Sequence, residues 1–90
     1  MFIWDEAKNS VNQQKHGLAF KDIKYFDWDD PVIIDRSRHE DGEHRLAAID
    51  MLYEKLHTVI FTHRGEDIRI ISLRRANTGE EKIYAKTKEA

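Results

Sequence analysis

Ninety residues with 40% hydrophobic and 36% charged side chains describe one folded, polar-surfaced domain over 1–90, too apolar for disorder and too short for a second core. A formal net charge of −2 does not announce a nucleic-acid binder, although the 15 Lys and Arg side chains could still gather on one face. The lack of cysteine excludes disulfides and thiolate chemistry, and no apolar run approaches the roughly 20 residues of a membrane span.

Met1 to Glu6 has no basic region followed by a long apolar run, so no secretory signal is expected and the chain is assigned to the cytoplasm. Phe2-Ile3-Trp4 suits a strand or an extended edge. Asp5 is a good helix N-cap, and a helix is predicted over 6–16, ending at Gly17 with Lys15 and His16 in its last turn. Lys8, Asn12 and either Lys15 or His16 then share one helical face, a cation, an amide and an imidazole together. Imidazole chemistry suits a general acid or base, while cations in a last turn also simply complement the helix dipole.

A second helix is predicted at about 19–28, burying Phe20, Ile23 and Phe26 or Asp27 and ending at Asp29-Asp30-Pro31. Ala19 stands where an N-cap serine, threonine or aspartate is common, at a cost of about 1 kcal/mol. Val32 to Asp35 reads as a strand, Arg36 to Glu43 as a charged loop, and Arg45 to Leu52 as a second strand. Met51 to Lys55 must hold a turn although it lacks glycine and asparagine.

Residues 56–63 and 67–75 are β-branched runs flanking Arg64-Gly65, the pattern of a β-hairpin. Strict alternation puts Arg69, Ile71, Leu73 and Arg75 on one face and Ile68, Ile70, Ser72 and Arg74 on the other. Arg69 or Arg75, helped by Arg64, would clamp a phosphate; the plainer alternative is pairing with Asp35, Asp50, Glu66 or Asp67. Asp41-Gly42-Glu43-His44-Arg45 adds an acid, an imidazole and a guanidinium, with Glu43 as a possible base. His57 and His63 share a strand side but lie about 20 Å apart by strand rise, so no metal site is expected. Thr78-Gly79-Glu80-Glu81 matches a capping box and opens a short C-terminal helix. Helices segregated from a run of hairpin strands give an α+β class with an antiparallel sheet of about four strands, two N-terminal helices packed on it and a short C-terminal helix.

Taken in order, Trp4-Asp5-Glu6-x-Lys8, Asn12-x-x-Lys15-His16-Gly17, Phe20, Gly42-Glu43-x-Arg45, Thr62-x-Arg64-Gly65-x-x-Ile68-Arg69-Ile70-Ile71-Ser72-x-Arg74-x-Ala76 and Glu81-x-x-Tyr84 resemble the BrnT toxin family over nearly the whole chain. The resemblance implies a RelE-like fold and a toxin of a type II toxin–antitoxin system that cleaves RNA without metal or other cofactor and slows translation. It also implies a ribbon-helix-helix antitoxin that sequesters the toxin and alone carries the complex to operator DNA. By matching position Lys8, Lys15, His16, Glu43, Arg45, Arg64, Arg69 and Arg74 become candidates for substrate binding or catalysis.

The chemistry expected is attack of the RNA's own 2′-hydroxyl on the adjacent phosphate. Glu43 or His16 would serve as base or acid, and Arg45, Arg64 and Arg69 would neutralise the developing charge. Lys8, Lys15, Arg74 and Arg75 would hold the RNA backbone. A competing reading is a non-catalytic, partner-binding co-repressor module of an antitoxin complex; growth arrest with RNA loss on expression without the antitoxin separates the two.

Overall fold

The computed structural model describes residues 1–37 and 44–89. Its centre is a mixed sheet of five strands: β1 (Phe2–Trp4), β2 (Val32–Asp35), β3 (Leu46–Leu52), β4 (Lys55–Arg64) and β5 (Asp67–Arg75), in the order β1-β5-β4-β3-β2. The last four are antiparallel neighbours. β1 runs parallel to β5, with Phe2 opposite Ile68 and Trp4 opposite Ile70. The expectation of about four antiparallel strands is therefore corrected by one parallel edge strand. Its rings explain the docking: Phe2 lies 5.2 Å from Trp28 and Trp4 6.2 Å from Phe20, centroid to centroid.

Helix α1 (Glu6–His16) has its expected limits, because both ends are chemically capped. The Asp5 carboxylate accepts the Ala7 N–H at 2.8 Å, and Gly17 closes the helix at φ 69°. The predicted helix at 19–28 is instead a six-residue 3-10 helix, Phe20–Tyr25. Phe20, Ile23 and Phe26 recur every third residue, the period of a 3-10 turn, so one edge buries all three. Beyond it the Trp28 indole donates to the Ile23 carbonyl (3.0 Å) and the Asp27 N–H to Met51 (3.0 Å), holding the chain extended. Ala19 supplies no side-chain cap; Asp22 accepts its N–H instead (3.1 Å).

The core lies on one sheet face, where Ala48, Leu52, Val59, Phe61, Ile70 and Leu73 meet Phe20, Ile23 and Phe26. Helix α2 (Thr78–Glu89) begins over the opposite face. Its cap lies one residue earlier than the expected Thr78 box. Asn77 Oδ1 accepts the Glu80 N–H at 2.8 Å and Glu80 Oε1 accepts the Asn77 N–H at 2.9 Å.

The turn expected between Met51 and Lys55 is two residues, Tyr53 and Glu54, at φ 51° and 67°. This is the primed geometry that suits hairpin twist, built without glycine. Tyr53 is held by its hydroxyl, which donates to Asp22 (2.9 Å), and by the Tyr25 ring at 5.7 Å. Glu54 is exposed and left-handed. Glu54→Gly should therefore stabilise the fold by about 1 kcal/mol, read as a higher denaturant midpoint with unchanged slope.

Candidate functional site

Alternation along β5 breaks at its middle. Phe61 pairs with Ile70 but Ile60 pairs with Ser72, so Ile71 is an extra residue, a β-bulge. The bulge corrects the strict-alternation reading. Leu73 joins Ile68 and Ile70 in the core, while Arg69, Ser72 and Arg74 share the other face through Thr62, Ile60 and Thr58. Arg75 stands opposite His57, on the core side and exposed at the strand end.

On the face away from the core the strands line up cations in a row. Arg36, just past β2, donates its N–H to the Arg45 carbonyl at 2.8 Å. Arg45, one residue beyond the Leu46–Phe61 pair, stands level with Thr62, and Thr62 pairs with Arg69. Arg64, two residues on from Thr62, follows on the same face by alternation. Arg36–Arg45–Thr62–Arg69 thus cross four strands in register, although they are scattered over 34 positions of sequence.

Two hollows open on this face. One, about 420 Å³, is lined by Arg36, Arg45, Ile60, Ile71, Ser72, Arg74 and Asn77. The other, about 360 Å³, lies between α1 and β5 and is lined by Ala7, Lys8, Val11, Asn12, Lys15, His16, Ile71 and Ser72. Ile71 and Ser72 line both, so the bulge is their common wall. Six cationic or imidazole side chains border the pair in a chain whose net charge is negative.

Asn12 fixes α1 against this wall. β1 covers the β5 edge only at residues 68–70. Farther along, Asn12 does the work of a strand: its Nδ2 donates to the Leu73 carbonyl (2.8 Å) and its Oδ1 accepts the Leu73 N–H (3.1 Å). The same amide donates to the Leu18 carbonyl (2.8 Å). Asn12 is thus a buried scaffold residue as well as a wall of the hollow. Asn12→Ala should cost about 2 kcal/mol in chemical denaturation, because it removes the bonds to the Leu73 N–H and carbonyl and to the Leu18 carbonyl.

Glu80 fixes the other rim. Its side chain is fully buried, and it receives Arg74 in a two-point pair at 2.7 and 3.0 Å, Thr58 at 2.9 Å and Arg36 at 3.4 Å. Burial alone raises this carboxyl, but the bonds from Arg74, the Asn77 amide and Thr58, with the Arg74 charge, pull it down to about 2. The same pair raises the Arg74 guanidinium.

The predicted site residues divide accordingly. Lys8, Lys15 and His16 border one hollow and Arg45 and Arg74 the other. Arg64 and Arg69 lie on that face toward the hairpin turn, and Arg75 lies on the opposite face. Glu43 lies outside the described residues. Of its cluster His44 and Arg45 are described, and His44 contacts Asp35 at 3.2 Å. Arg74 and Arg36 pair with Glu80, an acid outside the alternative set of Asp35, Asp50, Glu66 and Asp67. Arg36 and Glu80 were missed by sequence reasoning. Val32, Ile34 and Arg36 alternate toward one face, but that signal needs the β2–β3 register before it points at Arg45.

Residues 4–80 match the family model described as the ribonuclease toxin, BrnT, of type II toxin–antitoxin systems. Comparison with curated proteins found no match.

Proposed function

The chain belongs to the BrnT family of ribonuclease toxins, and from that premise we propose that residues 1–90 act as one toxin domain of RelE-like type, a metal-independent endoribonuclease that inhibits translation. The observation that carries the reading is the pair of hollows that share the Ile71–Ser72 wall, with arginines on one side and Lys8, Lys15 and His16 on the other. A scissile phosphate bound over Ser72 has guanidinium groups on one flank and the end of α1 on the other.

The RNA supplies its own nucleophile. A base removes the 2′-hydroxyl proton, the oxygen bonds to the adjacent phosphorus, and the bond to the 5′-oxygen breaks as that oxygen takes a proton. The products are a cyclic phosphate and a 5′-hydroxyl end. His16 is assigned to proton transfer, with Glu43 the alternative base. Arg45, Arg64 and Arg69 neutralise the charge that builds on the phosphoryl oxygens, and Arg36 joins them from β2. Lys8 and Lys15 hold the flanking backbone. Arg74 is committed to Glu80 and shapes the rim, so its contact with RNA is secondary; Arg75 has no part in this reading.

The partner of this activity is an antitoxin of ribbon-helix-helix type, which reaches operator DNA on behalf of the complex, in the cytoplasm. No helix among the described residues is long and apolar enough to cross a membrane. Purified protein incubated with RNA in excess chelator tests the reading. Fragments with cyclic phosphate and 5′-hydroxyl ends are expected. Cutting that appears only when a divalent ion is restored would overturn the metal-independent route.

A further inference from the structure

The hollow between α1 and β5 has a composition that phosphate binding leaves unexplained. Beside its cations it is lined by three apolar side chains, Ala7, Val11 and Ile71. Val11 is 49% exposed on a helix whose buried residues are polar, Asn9 and Asn12. A bare valine beside an arginine-lined pocket invites a flat apolar group. The bulge adds a second observation. An unbroken β5 would alternate Ile71 and Ser72 to opposite faces, but the extra residue brings both to line the hollow, an isoleucine beside a hydroxyl.

We propose that this hollow is a nucleobase subsite: it receives the base of a nucleotide next to the scissile phosphate, with the ring against Val11 and Ile71 and the base edge toward Ser72 and Lys15. This deepens the ribonuclease reading and rests on it for the identity of the ligand as RNA. The occupant follows from the surroundings. Lys8, Lys15 and His16 together with the apolar Ala7, Val11 and Ile71 complement a base carried on an anionic backbone, and Ile71 and Ser72 also line the arginine hollow that takes the phosphate. The subsite makes the toxin selective by the base beside the cut rather than by backbone charge alone.

Binding of non-cleavable 2′-O-methyl oligonucleotides, intact or with one abasic position moved along the strand, tests this separately from cleavage. Loss of a single base should weaken binding on the order of tenfold at one position. Val11→Ser should weaken binding of the intact strand by a similar factor, and the two losses should not add, since both remove the same contact. Val11 is exposed on its helix, so the variant should melt as the parent does; Val11→Asn provides a second substitution. Additive losses, or no abasic position that matters, would overturn the subsite while leaving cleavage in chelator intact. Conversely, base-dependent binding by a protein that cuts no RNA would retain the subsite and overturn the ribonuclease reading.

Discussion

Glu80→Gln should lower the stability of this protein by about 3 kcal/mol at neutral pH, with a fall in melting temperature of roughly 15 °C. The substitution keeps the shape of the side chain and deletes one charge. What it strands is Arg74, half-buried and bonded twice to the carboxylate, together with the weaker contact from Arg36. Removing one partner of such a pair leaves the other charge without its counter-ion, which costs more than a surface ion pair ever contributes.

The pH dependence gives an independent check. The folded carboxyl lies at about 2 against an ordinary 4.5, so the unfolded chain binds more protons between those values. Stabilisation by Glu80 is complete above pH 4.5 and is lost as pH falls through about 2. Parent and variant should therefore differ most near neutrality and converge in acid. A gap that stays constant down to pH 2 would show that ionisation of Glu80 is not what holds α2 to the sheet.

Arg45→Ala should reduce RNA cleavage by about a hundredfold without unfolding the protein, the scale seen when one donor to a developing oxyanion is removed. The guanidinium borders the larger hollow in register with Arg36 and Arg69, where three strands from distant parts of the chain converge. Arg45→Lys should recover only part of the rate, because an ammonium keeps the charge but loses the planar fork that meets two phosphate oxygens. The internal control is Arg75→Ala. Arg75 is a neighbour in sequence to the cationic row but stands opposite His57 on the other face, so its loss should change cleavage by less than about twofold. Equal losses from Arg45→Ala and Arg75→Ala would mean that cleavage responds to total charge and not to the groove.

Most strand and helix limits were legible in sequence because they depend on neighbours along the chain. Asp5 and Gly17 bound α1 through local caps, and Gly65 lets the β4–β5 hairpin turn at φ 61°. The β-branched runs marked β2, β4 and β5, and the family match over 4–80 spans the stretch that carries the BrnT resemblance apart from Glu81 and Tyr84. The errors also have local causes. The three-residue spacing of Phe20, Ile23 and Phe26 fits a 3-10 turn as well as an α-helix, and packing under Trp28 chose the shorter form. Asn77 took the cap from Thr78 because Glu80, not Glu81, had Thr58 and Arg74 waiting across the sheet.

The sequence by itself determined the α+β class, the order of elements and which residue types were available for anion chemistry. Tertiary structure decided which of those residues meet. A one-residue bulge at Ile71 exchanges the faces of everything after it, and strand register sets Arg36 beside Arg45 across a gap in sequence. Both are properties of pairing between strands. A single strand read alone carries no record of its partner, so the groove appears only when the sheet is assembled.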